Sequence, residues 1–167
     1  PLTLKLDPRV KTVASALTQL FTLTRQMWDG ATAARAALAE ARALSAKLAA
    51  ESGADAVAFK AAVDSLAPAP VRGRGGRGGG GGGGFGGRGG AAAGPATLAS
   101  VGAMLMGAAN AMQGAETPPT ANQVAGCDRA STQLAEVMKR WTALKTAGLT
   151  ALNAKRRAAG QAAVTLP

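Results

Sequence analysis

Four arginines and one phenylalanine supply the densest chemistry in this chain. Arg72, Arg74, Arg77 and Arg88 lie in the stretch VRGRGGRGGGGGGGFGGRGGAAAG, residues 71–94, with Phe85 among them and no acid. Three Arg-Gly-Gly triplets occur, at 74–76, 77–79 and 88–90. Guanidinium forks hold phosphates and an aromatic ring stacks on an unpaired base, so such a segment has the parts to contact single-stranded nucleic acid. Four arginines neutralise only about four phosphates, a modest and salt-sensitive gain. Tracts that work this way repeat the triplet many times and carry several aromatics. The expected reading is therefore a neutral linker, with nucleic-acid contact through Arg72, Arg74, Arg77, Phe85 and Arg88 as the alternative. The glycines do not form a phosphate loop, because the G-x-x-x-x-G-K-[ST] pattern is missing.

The other candidates are weaker. The chain has no histidine, which removes the commonest general base and metal ligand. Its nine acids, from Asp7 to Glu136, form no compelling catalytic pair. Glu40 is expected to pair along its helix with Arg35 or Arg42, and Glu136 with Lys139 or Arg140. Asp29 and Asp128 would matter only if a pocket brought them together. The single cysteine, Cys127, cannot form an intramolecular disulfide and reads as a small buried apolar residue. Met104, Met106 and Met112 read as core filler. Lys155, Arg156 and Arg157 read as a charged helix end, with an anionic partner second. No catalytic residue, metal or cofactor is expected, and no apolar run is long enough for a membrane span.

The elements that would position these residues are helices. Of the 167 residues, 47% are hydrophobic, much of this alanine, and only 3% are aromatic. Alanine and leucine without large β-formers fit close-packed helices better than a sheet sandwich. The net charge is +10, and +6 remains without the four arginines of 71–94. Basicity of that kind permits an anionic partner without showing one.

Residues 2–6, LTLKL, alternate like a half-buried strand that Asp7-Pro8 closes. From Thr12, a plausible N-cap, apolar residues step by three and four to Leu48. This predicts one helix over 12–50, about 57 Å long, with Gly30 its weak point and Phe21, Trp28 and Leu44 widening the stripe. Ser52-Gly53-Ala54-Asp55 resembles a capping box for a second helix ending near Leu66, with Val57, Phe59, Val63 and Leu66 as its contacts. Ala67-Pro68 stops it.

A third helix starts at Pro95-Ala96-Thr97 and ends at Gly114. A true capping box, Thr120 with Gln123, opens a fourth, which Gly148 is expected to break. A short last helix ends at Gly160. Trp28 and Trp141 are expected to be the largest core side chains. The expected fold is mainly α: an antiparallel up-down bundle of three to four helices, the first one long, with a short N-terminal strand remnant and a disordered glycine-rich loop. Its parts are 1–10, the end of a preceding β-sandwich; 11–67, a helical hairpin; 68–96, the loop; and 97–167, the helices that complete the bundle.

PLTLKLDPRVKT, residues 1–12, together with Thr117–Gln123, Trp141–Lys145 and Leu149–Lys155, resembles the C-terminal region of bacterial sortilin-like or Asp-box (sialidase-type) β-propeller glycosyl hydrolase proteins. Thr150, where that family tends to have proline, and the glycine-rich insert depart from its pattern. The resemblance implies a helical tail that follows a propeller and a small β-sandwich. Its partners would then be those domains of a longer chain, and its location periplasmic or secreted. Any hydrolase chemistry would sit in the propeller, so no catalytic residue carries over. The expected function is a non-catalytic accessory domain with a packing or assembly role. An RNA- or nucleic-acid-binding module is the alternative, and the oligomeric state stays open.

Overall fold

The computed structural model describes residues 11–69, 95–114 and 116–166. The expected strand at 2–6 and the glycine-rich loop fall outside these residues. The described part is a mainly-α helical bundle, as the apolar periodicity predicts.

Helix α1 runs Ala14–Lys47, 34 residues or about 51 Å, and ends in a 3₁₀ turn, Leu48–Ala50. Helix α2 is Ala54–Leu66, α3 is Leu98–Met112 and α4 is Ala121–Ala143. A π-helical segment, Leu144–Gly148, joins α4 to α5, Leu149–Ala158.

Contacts fix the directions. Ser45 meets Asp64 and Arg42 meets Pro68, so α2 runs back along the upper part of α1. Gly102 lies against Ala34, and Gly30 against Leu105, so α3 runs back along the lower part. The second and third helices thus occupy successive stretches of one return path. Gln26 bonds Ser131 and Glu40 pairs with Lys145, so α4 runs parallel to α1. The bundle is up-down-up in three rods, and the middle rod is interrupted between Pro68 and Ala96.

The core lies where the rods meet. It holds Met27, Ala34, Leu44, Leu48, Val63, Leu66, Leu98, Leu105, Cys127, Val137 and Trp141. Small residues on α1 (Gly30, Ala31, Ala34, Ala37, Ala41) let the neighbouring helices approach closely. Gly30 is therefore a crossing point, and α1 passes through it unbroken. A Cβ there would stand 2.9 Å from Leu134 Cδ2.

Several expectations are corrected. Thr12 does not cap α1: Val13 holds the N-cap position, and the Thr12 hydroxyl donates to the Glu116 carbonyl. Ser52 and Asp55 form no capping box. The N-cap falls one residue later, on Gly53, and Asp55 instead pairs with Lys155 across the bundle. Gly148 does not break the fourth helix, because the wide π turn carries the chain through it into α5.

Trp28 is not a core residue. It is 48% exposed, because its neighbour Met27 takes the buried place. Phe21, 67% exposed, and Val57, also exposed, miss the core in the same way, set off by one position from Leu20 and Ala56. Of the two expected boxes one forms, and α3 carries another that was not expected. Thr120 and Gln123 cap α4 reciprocally, and Thr97 with Ser100 does the same for α3. Gly160 closes α5 at φ +70°, where a Cβ would be strained.

Candidate functional site

Arg72, Arg74, Arg77, Phe85 and Arg88 lie outside the described residues. The two ends of their segment do not. Arg42 Nη2 donates to the Pro68 carbonyl at 3.3 Å, and Arg140 Nη1 donates to the Ala96 carbonyl at 3.0 Å. Arginines of α1 and α4 thus hold both flanks of the interruption at mid-bundle.

One cleft, of about 190 Å³, opens at the far end, between the start of α2 and α5. Glu51, Asp55, Lys155, Arg156 and Gln161 line it. Arg156, whose side chain is 11% exposed, makes a bidentate pair with Glu51 at 2.7 and 3.1 Å. Its Nε donates to the Ala162 carbonyl at 2.7 Å. The hydrogen bond from Arg156 holds the Glu51 carboxyl below its usual range and raises the guanidinium in return. Lys155 pairs with Asp55. The cleft therefore has its charges already matched. The chain after α5 is strapped onto the bundle beyond the cleft: Asn153 exchanges two 2.8 Å bonds with the Val164 backbone, and Lys47 donates to the Thr165 carbonyl.

Several other titratable groups are also paired. Glu40 pairs with Lys145 on the parallel rod at 3.2 Å, and not with Arg35 or Arg42 as expected. Lys145 also lies 5.9 Å from the centre of the Trp141 ring. Glu136 is in no ion pair among the described residues, and Arg140 turns to Ala96 instead. Asp64 is opposed by desolvation, but bonds from Lys60 and Ser45 outweigh it and lower its pKa. Asp29 is taken by Arg25 at 3.2 Å, and neither it nor Asp128 lines the cleft.

Cys127 is buried, with Met112 sulfur 3.9 Å away, and burial pushes its thiol up. Met104 and Met106 pack against the core, as filler should. Trp141 Nε1 is buried without a hydrogen-bond partner. Among the described residues no group of His, Cys, Asp and Glu could hold a metal ion, and no helix is long and apolar enough to cross a membrane.

One further feature lies along α1. Phe21, Trp28, Arg35 and Arg42 recur every seven residues on α1, and all four are exposed. Seven residues make almost two turns, so the four form one row along the helix. The seven-residue spacing carries the signal, but an apolar stripe that includes both aromatics masks it.

The described residues thus define a small all-α bundle whose paired charges mostly tie rods together. Compared with protein-family models, with curated proteins and with solved structures, the chain matches none.

Proposed function

We propose that this chain is a non-catalytic helical accessory domain with a packing or assembly role, part of a larger exported protein of the sortilin-like, Asp-box propeller kind. The observation that carries the non-catalytic reading is the use made of its ionic groups. Glu40–Lys145, Glu51–Arg156 and Asp55–Lys155 each join elements far apart in the chain, and the last two line the cleft and match its charges. Such pairs orient helices and are modest in energy when exposed. The propeller parentage and the exported location rest on the resemblance of 1–12, 117–123, 141–145 and 149–155.

Two measurements test it. The coding sequence upstream of Pro1 should encode propeller repeats with Asp-boxes; an upstream region without them refutes the parentage. The melting of the long protein should lose a cooperative transition, or shift downward, when 11–167 is removed. An unchanged melt refutes the packing role.

A second reading is nucleic-acid contact through Arg72, Arg74, Arg77, Phe85 and Arg88. It is favoured by the surplus of positive charge. Five carboxylates of the bundle are paired, while Arg35, Arg129, Lys139 and Arg157 have no carboxylate partner among the described residues. Filter binding of single-stranded RNA at two salt concentrations, with and without residues 72–90, tests it. No binding at low salt refutes it.

A further inference from the structure

We propose that the row Phe21, Trp28, Arg35 and Arg42 on α1 is a docking face for single-stranded nucleic acid. Bases would stack on the two aromatic rings and phosphates would pair with the two guanidinium groups. The inference shares its ligand class with the second reading above, but it places the contact on the folded bundle and not on residues 71–94.

The geometry supports it in three ways. First, the row is straight and accessible. Successive members stand about 10.5 Å apart, and the drift is about 20° per step, so the four side chains cover about 31 Å of one helix face. Phe21 and Trp28 are the most exposed aromatics among the described residues, and an indole or phenyl face in water is a stacking platform for any base.

Second, the cations on this face are available. Arg35 has no partner among the described residues, and Arg42 uses one Nη to reach Pro68, leaving most of its five donors for a phosphate. Third, no carboxylate competes. Asp29 lies ~100° round the helix from Trp28 and is bound to Arg25. Glu40 turns to Lys145 on α4. Helix α3, which packs beside α1, has no charged residue at all.

Complementarity also separates this occupant from a protein partner. A helix laid on the row would bury Phe21 and Trp28 but would leave Arg35 and Arg42 to be matched by acids in register. A nucleic-acid strand offers an anion and an aromatic face at every step. At its upper end the row reaches Pro68, so a strand leaving it arrives where the arginine-bearing segment joins the bundle.

The test uses the whole chain. Fluorescence anisotropy follows a labelled oligouridine at about 50 mM and about 200 mM salt, beside a duplex of the same length and vesicles of phosphatidylcholine with phosphatidylglycerol. Four proteins are compared: wild type, F21A/W28A, R35Q/R42Q and a chain lacking 72–90. All four substitutions are at exposed positions, and a circular-dichroism melt checks that each variant folds.

The expected result is preference for the single strand over the duplex, weakened about tenfold or more in F21A/W28A. In R35Q/R42Q the slope of log K against log salt should fall by about 1.4, from ~0.7 per phosphate lost. The wild type, but not F21A/W28A, should lose tryptophan fluorescence on binding, and row-dependent binding should survive deletion of 72–90. Binding that ignores both double variants and vanishes with 72–90 overturns this proposal and leaves the second reading standing. No binding at low salt overturns both. Row-dependent binding to the vesicles alone, or a self-association abolished by F21A/W28A without RNA binding, overturns it in favour of a lipid or a second copy.

Discussion

Alanine in place of glycine usually strengthens a helix, by about 1 kcal/mol. At Gly148 the structure reverses that expectation. Gly148 ends the π segment, and a Cβ built on it would stand 2.9 Å from Cε2 of Phe59 and 3.6 Å from Leu144 Cδ2. Carbon atoms pack best near 3.5–4.0 Å, so the phenyl ring would have to withdraw by about 0.6–1 Å. Phe59 belongs to the core cluster, so its withdrawal is paid in packing. Overpacking of this kind costs about 1–3 kcal/mol. Set against the helix gain, Gly148→Ala should destabilise the bundle by about 1 kcal/mol and lower its melting temperature by about 2–4 °C.

The assay is a double-mutant cycle read by thermal and urea melts. Phe59→Leu removes the offending atom, so Gly148→Ala should turn stabilising in that background, with a coupling of about 1–3 kcal/mol. Gly148→Ala raising the melting temperature equally in both backgrounds would show the contact to be irrelevant. Gly30→Ala serves as a contrast. Its clash is with Leu134 Cδ2, the tip of a half-buried side chain that can turn aside, so the helix gain and the adjustment should nearly cancel.

Three other outcomes follow from the same structure. Thr120→Ala removes half of the reciprocal cap on α4 and should cost about 1 kcal/mol, seen as a melting temperature lower by about 2–4 °C; an unchanged melt would mean that the cap is not formed in solution. Glu51 and Asp64 have carboxyl pKa values lowered by folding, so their contribution is present at neutral pH and is lost as pH falls from about 5 through the carboxylate range. Urea midpoints should therefore drop on acidification, and the drop should be shallower in E51Q and D64N; identical pH profiles would contradict it. Cys127 is buried and its thiol is pushed up, so a thiol reagent should react slowly with the native chain and rapidly in denaturant. Fast native labelling would show the core open at that point.

The helices were legible because each carries its own periodic stripe and its own punctuation. Thr120 with Gln123, Pro68, Gly114 and Gly160 are local signals, decided within four residues, and the structure honours them. The continuous α1 was legible as well, since one glycine costs too little to break so long a packed rod. Less legible was which member of an adjacent apolar pair goes inside. Leu20 or Phe21, Met27 or Trp28, Ala56 or Val57 differ by one position, about 100° of rotation, and a stripe broad enough to contain both cannot choose. The choice fell to the neighbouring rods, which admit Met27 and small alanines at a close crossing and leave the larger aromatics outside. The proposed nucleic-acid face was hidden for the same reason.

The residues alone settled an alanine-rich helical chain, the Thr120–Gln123 cap, the lack of histidine and the basic balance. These depend on residue type and local spacing alone. Only the tertiary structure decided that α2 and α3 share one return path, that Glu40, Glu51 and Asp55 reach across rods and not along them, and that Gly30 and Gly148 are sites of close approach. Each depends on what lies opposite a residue some twenty to over a hundred positions away, and local periodicity holds no record of that. The same holds for the row from Phe21 to Arg42: its spacing is written in the chain, but its exposure was set by the packing of the other two rods.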